Sequence, residues 1–512
     1  MTTRADPTTT RTEAPAIWTL VLASVGVFMT GLDTLVVTTA LPVLRVSLHT
    51  TLSGLEWTVN AYNLAFACSL LTGAALGDRF GRRRVFCVGL GIFTTASAAA
   101  ALAPSVGVLI AARAVQGGGA ALVMPLSLTL ITEAFPADRR GMAIGVWGGI
   151  VGIAVAFGPV IGGAVVQGIS WHWIFWLNVP IGIVLLPLAA SRLSESFGPR
   201  PRLDVVGLAL AGGGFFGITW GLVRANTVGW SSTEVLGAMV AGALAVGAFL
   251  WWEQHTPTPM LSLALFRRAR FSAANVVSFL MYAGLFGAVF LMSQFFQSAQ
   301  HHTPLETGVR LLAWTAPPMV VSPLAGKLAD RYGNRPFMAA GMGLQGIGLG
   351  WIALTVTAHI GYPTMGIALL VAGTGTALVF PTVANEVVAT VPETEIGIAS
   401  GTNSALRELG GVFGVAVLAA VFTRPGVYTS ASTFVDGFKP ALWVGAAFSA
   451  LGVLAALSTL RRRRPTPEPA APVLDPIAAA LAQEYRAPLG AYREPADTGA
   501  DHERVASDVR IR

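Results

Sequence analysis

The sequence predicts an all-α polytopic membrane protein with fourteen transmembrane helices. Three observations carry this. Charged residues make up 12% of the 512-residue chain and hydrophobic ones 54%, whereas soluble domains hold roughly 25% charged residues. Apolar runs of about 20 residues, enough to cross a bilayer, recur along most of the chain. One carboxylate, Asp33, stands inside such a run. A charge at that depth costs about 2.5–3.5 kcal/mol on insertion scales, so residues of this kind usually face a cavity and act there.

The runs place helices near 16–42, 55–76, 85–103, 106–131, 142–166, 174–191, 204–223, 235–252, 272–296, 306–327, 337–356, 363–387, 398–422 and 440–460. Met1–Ala14 is polar and Thr-rich, without the apolar stretch of a cleavable leader, so the first run is expected to remain as a helix. Arginines orient the bundle by the positive-inside rule. With the N-terminus inside, Arg79, Arg82, Arg83, Arg84, Arg139, Arg140, Arg192, Arg200, Arg202, Arg267, Arg268, Arg270, Lys327, Arg331 and Arg335 fall in inner loops, and Arg461–Arg464 follow the last helix. The outer loops hold only Arg45, Arg224, Arg310, Arg424 and Lys439. Both termini are therefore expected in the cytoplasm, with the chain multi-pass in the cytoplasmic membrane. Trp171, Trp173 and Trp176 suit an outer aromatic belt. Cys68 and Cys87 lie in apolar runs and read as packing residues. The Pro-rich, mixed-charge segment after Arg464 reads as a disordered tail, with Asp475-Pro476 able to start a short helix at Ile477–Arg486.

An internal repeat organises the runs. Gly-Gly-Gly-Ala-Ala-Leu-Val-Met-Pro at 117–125 returns as Gly-Thr-Gly-Thr-Ala-Leu-Val-Phe-Pro at 373–381, and the same shift carries Gly141 to Gly397. Ala-Leu-Gly-Asp-Arg-Phe-Gly-Arg-Arg at 75–83 returns as Lys-Leu-Ala-Asp-Arg-Tyr-Gly-Asn-Arg at 327–335. The expected organisation is an N-terminal tail (1–15), a six-helix bundle (16–191), two inserted helices (192–255), a second six-helix bundle (256–460) and a cytoplasmic tail (461–512). Parallel repeats of this kind place a substrate site between the halves and work by rocking.

Four motifs in this order resemble those of the major facilitator superfamily, in its fourteen-helix drug:proton antiporter branch. Gly-Asp-Arg-Phe-Gly-Arg-Arg-Arg (77–84) resembles the loop signature after helix 2. Arg113-Ala-Val-Gln-Gly-Gly-Gly-Ala-Ala resembles the helix-4 signature, and Gly158-Pro-Val-Ile-Gly-Gly163 the helix-5 antiporter signature. Trp171-His-Trp-Ile-Phe-Trp-Leu-Asn-Val-Pro-Ile-Gly182 is similar to a marker of the fourteen-helix branch. The resemblance covers roughly 16–460 and implies the major facilitator fold: two six-helix bundles plus two inserted helices. There are departures. Ala74 stands where the loop signature opens with Gly, and Arg113 has no basic counterpart in the second copy, where Leu369 takes its place.

Candidate working residues follow. Asp33 and Arg113 fall at similar depth on helices that the resemblance makes neighbours, so they are expected to meet directly or through water and to couple protons; the rival is a static buried pair that only fixes packing. Glu408 is a candidate second proton or cation site, with mutual charge balance against Arg407 as the rival. Adjacent helix residues point about 100° apart, so Arg407 is expected to face the helix backbone or lipid headgroups near the inner mouth. Gly158, Pro159, Gly162 and Gly163 are expected to form a close-packed gate, against ordinary small-residue packing as the alternative. The resemblance makes Asp78, Arg79, Arg82 and Arg83 a cytoplasmic latch, repeated by Asp330, Arg331 and Arg335. Asn60, Tyr62, Asn63 and Trp147 are candidate lining of a substrate cavity, with packing as the alternative. Glu386 reads as a solvated residue at the inner mouth.

These features exclude several functions. No nucleophile–base pair or metal set stands out, so an enzyme is not expected. His301-His302 lacks a third ligand, and Gly117–Gly119 lies mid-helix with no Lys-Ser/Thr behind it, so neither a metal nor a nucleotide site is expected. The net charge of +7 lies beside apolar runs and does not suggest nucleic acid. The expectation is a multidrug or antibiotic efflux antiporter without cofactors, driven by the proton gradient. It would work as a monomer in the lipid bilayer on protons and a small amphipathic substrate. A transporter of an endogenous metabolite or nutrient on the same fold is the alternative.

Overall fold

No water reaches backbone N–H and C=O groups inside a bilayer, so a spanning chain must satisfy them within helices. The computed structural model obeys this and describes residues 13–198, 203–257, 259–392, 395–423 and 427–458. In order the helices are α1 Glu13–Ser47, α2 Leu52–Phe80, α3 Arg82–Ala101, α4 Val106–Ala134, α5 Ala137–Gly168, α6 Trp173–Trp176, α7 Asn178–Arg192, α8 Val205–Val228, α9 Thr233–His255, α10 Ala269–Gln294, α11 Pro304–Thr315, α12 Pro317–Tyr332, α13 Asn334–Thr355, α14 Tyr362–Ala389, α15 Ile396–Phe422 and α16 Ala431–Ser458. The whole of the expected tail (461–512), with the segment Ile477–Arg486, and residues 1–12 lie outside the described residues.

Among the described residues, 13 helical stretches are long and apolar enough to cross a membrane. The span expected at 306–327 is divided into α11 and α12, which meet at Ala316. Pro317 and Pro318 carry no N–H, so two carbonyls of α11 lose their intrahelical partners and the helix breaks there. The remaining crossing is thus a broken helix. Helix ends follow local chemistry. Thr51 caps α2 by accepting from Gly54 N at 3.4 Å, and Thr303 with Glu306 forms a capping box on α11. Gly81 (φ +105°) and Gly333 (φ +83°) turn the chain between α2 and α3 and between α12 and α13, in backbone territory that favours glycine.

The repeat reappears as packing. α2 lies against α4 and α3 against α4; in the second copy α12 lies against α14 and α13 against α14. A Cβ on Gly117 would sit 2.2 Å from the Tyr62 carbonyl oxygen, and one on Gly373 would sit 2.4 Å from that of Trp314. Only glycine lets those backbones approach so closely. α8 and α9 pack on one another, and α8 also leans on α2 and α15.

The repeats meet where α2 lies against α15 and, at one end, in a shared apolar core. Leu35–Leu44 of α1, Phe286–Phe296 around the end of α10, and Phe422, Phe434 and Phe438 share one apolar core. Ser293 donates to Thr38 O at 2.6 Å, and Gln297 donates to Thr39 O at 2.8 Å. At the opposite end of α5, added Cβ atoms on Gly145, Gly148, Gly149 and Gly152 would meet nothing within 4 Å, and Met142, Ile144 and Val146 are exposed.

Candidate functional site

Asp33 lies on α1, just before the stretch that enters the shared apolar core, and is 1% exposed. Its carboxylate makes an ion pair with Arg113 of α4. Gln116 donates to the same carboxylate at 2.8 Å and Asn178, the first residue of α7, at 3.0 Å. Arg113 is held in turn. Its Nε donates to Thr58 O at 3.2 Å, Nη1 also reaches Gln116 Oε1 at 2.8 Å, and the guanidinium lies 4.2 Å from the centre of the Tyr62 ring. Ser97 accepts from Gln116 and Asn178 and donates to Phe175 O at 3.0 Å. Donors from α4 and α7 thus reach the carboxylate directly, and groups of α2 and α3 hold those donors in place, which offsets much of the cost of burying it.

The expected meeting of Asp33 and Arg113 is present. Sequence reading missed three other members. Gln116 falls one helical turn after Arg113, so its place beside it was legible from spacing. Asn178 sat inside the quoted Trp-rich motif without a role. Ser97 gave no signal in its Ala-rich run.

Tyr62 reaches Thr30 O at 3.3 Å rather than an open cavity. Asn60 and Asn63 are 0% and 1% exposed; both side-chain polar atoms of Asn60 and the Nδ2 of Asn63 are buried without hydrogen-bond partners. Trp147 is half-buried and donates to Ser127 Oγ at 3.0 Å, away from these three. The proposed cavity lining is therefore not one wall.

Glu408 and Arg407 correct the sequence reading. Their side chains meet at 3.4 Å, because two long side chains close the angle between adjacent helix positions. Arg407 also lies 5.0 Å from the Tyr282 ring centre and 5.2 Å from that of Phe380. It is held by aromatic faces inside the protein rather than at headgroups. Glu408 is 7% exposed.

The glycine-rich stretch of α5 packs on two partners. Cβ atoms on Gly158 and Gly162 would press on Leu35 and Val36 of α1. A Cβ on Gly163 would meet Pro304 O at 2.2 Å, and one on Gly308 would meet Pro159 O at 2.2 Å. Thr315 donates to Ala156 O at 2.9 Å across the same contact. Pro159 and its glycines thus join α5 of the first repeat to α11 of the second.

The two loop motifs diverge. Asp78 pairs with Arg82 at 2.8 Å, and Arg82 also pairs with Glu133. Arg83 meets Glu195 at 3.5 Å, while Arg79 lies over Phe80, 5.5 Å from its ring centre, outside this network. The expected second latch does not form. Among the described residues Asp330 has no ion pair, Arg331 lies over Tyr332, and Arg335 donates to Ala456 O at 2.9 Å. The cause is Asn334, which stands where the first copy has Arg82. It donates to Glu386 at 2.9 Å, and Arg270 supplies the cation at 2.6 Å. Glu386, expected to be solvated, is 4% exposed.

The chain matches the Major Facilitator Superfamily over residues 23–258 and 274–495. It is 36% identical over 402 residues to the tetracenomycin C resistance and export protein of Streptomyces glaucescens, covering 78% of this chain and 74% of that one. It is 34% identical over 405 residues to the multidrug resistance protein Stp of Mycobacterium tuberculosis, covering 79% and 75%. With the methylenomycin A resistance protein of Bacillus subtilis it shares 32% over 446 residues, covering 86% and 94%. Solved structures agree in fold. A peptide transporter POT in complex with sulfate gives a TM-score of 0.64 at 15% identity, covering 87% of this chain and 94% of that one. The xylose transporter XylE from E. coli, partially occluded and inward open, gives 0.60 at 14%, covering 88% and 99%. With its helical repeats, its buried charge network and these relatives, the chain belongs to the Major Facilitator Superfamily and is a membrane transporter rather than an enzyme.

Proposed function

We propose that this protein exports amphipathic drugs or antibiotics across the cytoplasmic membrane, driven by inward proton flow through alternating access. The observation that carries the reading is the buried Asp33–Arg113 pair, set beside the contact between the repeats. The relatives named for resistance and export support the substrate class. The arginine distribution supports a cytoplasmic N-terminus, which makes the end with the shared apolar core the outer one.

In this arrangement the inner end admits substrate between the repeats. Separation of α5 from α11 and of α1 from α10 then opens the outer side. Displacing Arg113 from Asp33 leaves a bare carboxylate at bilayer depth, which favours taking a proton from outside. Return of Arg113 restores the ion pair and expels that proton inward. A charge moving through 100 mV supplies about 2.3 kcal/mol, and each pH unit adds about 1.4 kcal/mol. A cationic substrate competes with the proton for Asp33.

The test uses the purified full chain in lipid vesicles with an imposed pH gradient and a panel of aromatic antibiotics and cationic dyes. Gradient-driven flux is expected, with Asp33→Asn folding normally but losing it. Undiminished flux in Asp33→Asn would remove Asp33 from the mechanism.

A further inference from the structure

Outside the Asp33 network, a second pair of acids meets where the inserted helices join, Glu253 buried and Asp204 half-buried. Asp204 caps the start of α8: its Oδ1 accepts from Gly207 N at 2.7 Å and from Trp252 Nε1 at 2.8 Å. Glu253, near the end of α9, accepts from Leu261 N at 3.0 Å through Oε2. One oxygen of each acid is thereby satisfied. The others, Asp204 Oδ2 and Glu253 Oε1, are buried and receive no donor. Both lie beside one point, since a Cβ on Gly207 would be 2.5 Å from the first and 2.9 Å from the second. The two unpartnered oxygens thus face one small volume, and Glu253 is 4% exposed.

Two carboxylates cannot hydrogen-bond without a proton, and two buried anions at this separation repel strongly. The surroundings offer no compensation among the described residues. His255, next along α9, turns back to Trp251 O at 2.7 Å. Arg267 on the following segment is exposed, and Arg268 is taken by Glu395 at 3.4 Å. Of the charged groups on the packed helices, Asp78 of α2 pairs with Arg82, Glu408 of α15 with Arg407 and Arg224 of α8 with Glu234 of α9, while Arg79 lies over Phe80 and Glu56 stands near the other end of α2. Two oxygens are too few for a calcium or magnesium ion, which takes six or more ligands. A single proton satisfies both oxygens at once.

We propose that Asp204 and Glu253 form a proton-binding site separate from the transport path, whose occupancy clasps α8 to α9 and holds the segment that leads into α10. That segment touches both repeats. Met260 lies 3.7 Å from Thr72 Oγ1 on α2, and Arg268 donates to Thr390 O, before α15, at 2.7 Å. Leu261, bound directly to Glu253, sits between them. Loss of the proton leaves two facing anions, opens the α8–α9 junction and loosens this strap. The inserted helices thereby make the strap responsive to proton availability.

The test is infrared spectroscopy on the purified full chain titrated from about pH 6 to about pH 9, where ordinary carboxyls are ionised. A protonated-carboxyl band is expected that Glu253→Gln and Asp204→Asn each remove and Asp33→Asn leaves. Both amides donate the hydrogen bond that the proton would supply, so both variants are expected to fold. Thermal unfolding over the same range is expected to fall with pH in the wild type and to stay flat in either amide variant. An unchanged band in both variants, or an alkaline loss of stability equal to the wild type's, overturns the proposal.

Discussion

Gly117 and Gly373 do the same work in the two repeats, yet the side chains beside them do not. Each glycine lets a helix press on a neighbouring carbonyl, that of Tyr62 in one case and of Trp314 in the other. In the first repeat the surrounding positions are Ser97, Arg113 and Gln116, which converge on Asp33. Their counterparts in the second are Leu349, Leu369 and Ala372, all buried and apolar. The lesson is that the repeat preserved close backbone packing, which fixes the shape of a bundle, while each copy placed its buried charges at different positions, the second at Arg407 and Glu408 and at Glu386. The loop motifs teach the same. Asn334 stands where the first copy has Arg82, and Glu386 where it has Leu130, so in the second copy the ion pair forms between Glu386 and Arg270 rather than at the motif's own Asp.

The comparison is broken most severely at Arg113. Arg113→Ala is expected to cost about 3–5 kcal/mol, because it leaves Asp33 buried and unpaired. Thermal unfolding in detergent measures it, and adding Asp33→Asn is expected to recover much of the loss. Leu369→Ala, its counterpart, leaves no charge behind and is expected to show no such recovery with any neighbouring amide.

Next come the shared glycines. Gly117→Val and Gly373→Val are each expected to cost about 1–3 kcal/mol through overpacking. A large cost in one copy and none in the other would break the parity argued above. Gly118→Ala is the control, since its Cβ would meet nothing within 4 Å; a change within about 0.5 kcal/mol is expected. At the contact between repeats, Gly163→Val and Gly308→Val wedge α5 from α11. Labels placed across that contact are expected to move apart, and an unchanged separation would deny it a gating role. The smallest difference concerns the loop motifs. Asp78→Asn is expected to cost about 1–2 kcal/mol, whereas exposed Asp330→Asn is expected to stay within about 0.5 kcal/mol.

Much of this was legible in advance. Span positions follow from apolar length, and the Asp33–Arg113 meeting followed from depth together with the family resemblance. The break at Pro317 was legible in principle, since adjacent prolines remove two consecutive donors; length alone hid it, because 304–332 is long enough to be one helix. Asn178 and Ser97 were not readable as partners of Asp33. They lie 145 and 64 positions away along the chain, and neither residue type signals a buried network.

The sequence by itself determined the helical class, the number of crossings, the repeat and the rarity of charge at bilayer depth, because each is set by local composition and the bilayer's demand for satisfied backbone groups. Only the tertiary structure decided which polar groups share an acid, that Arg407 and Glu408 touch, that Asp330 stands apart and that Asp204 faces Glu253. Those outcomes depend on where neighbouring helices bring hydrogen-bond donors, and a donor from a distant helix leaves no mark in the local pattern of the residue it serves.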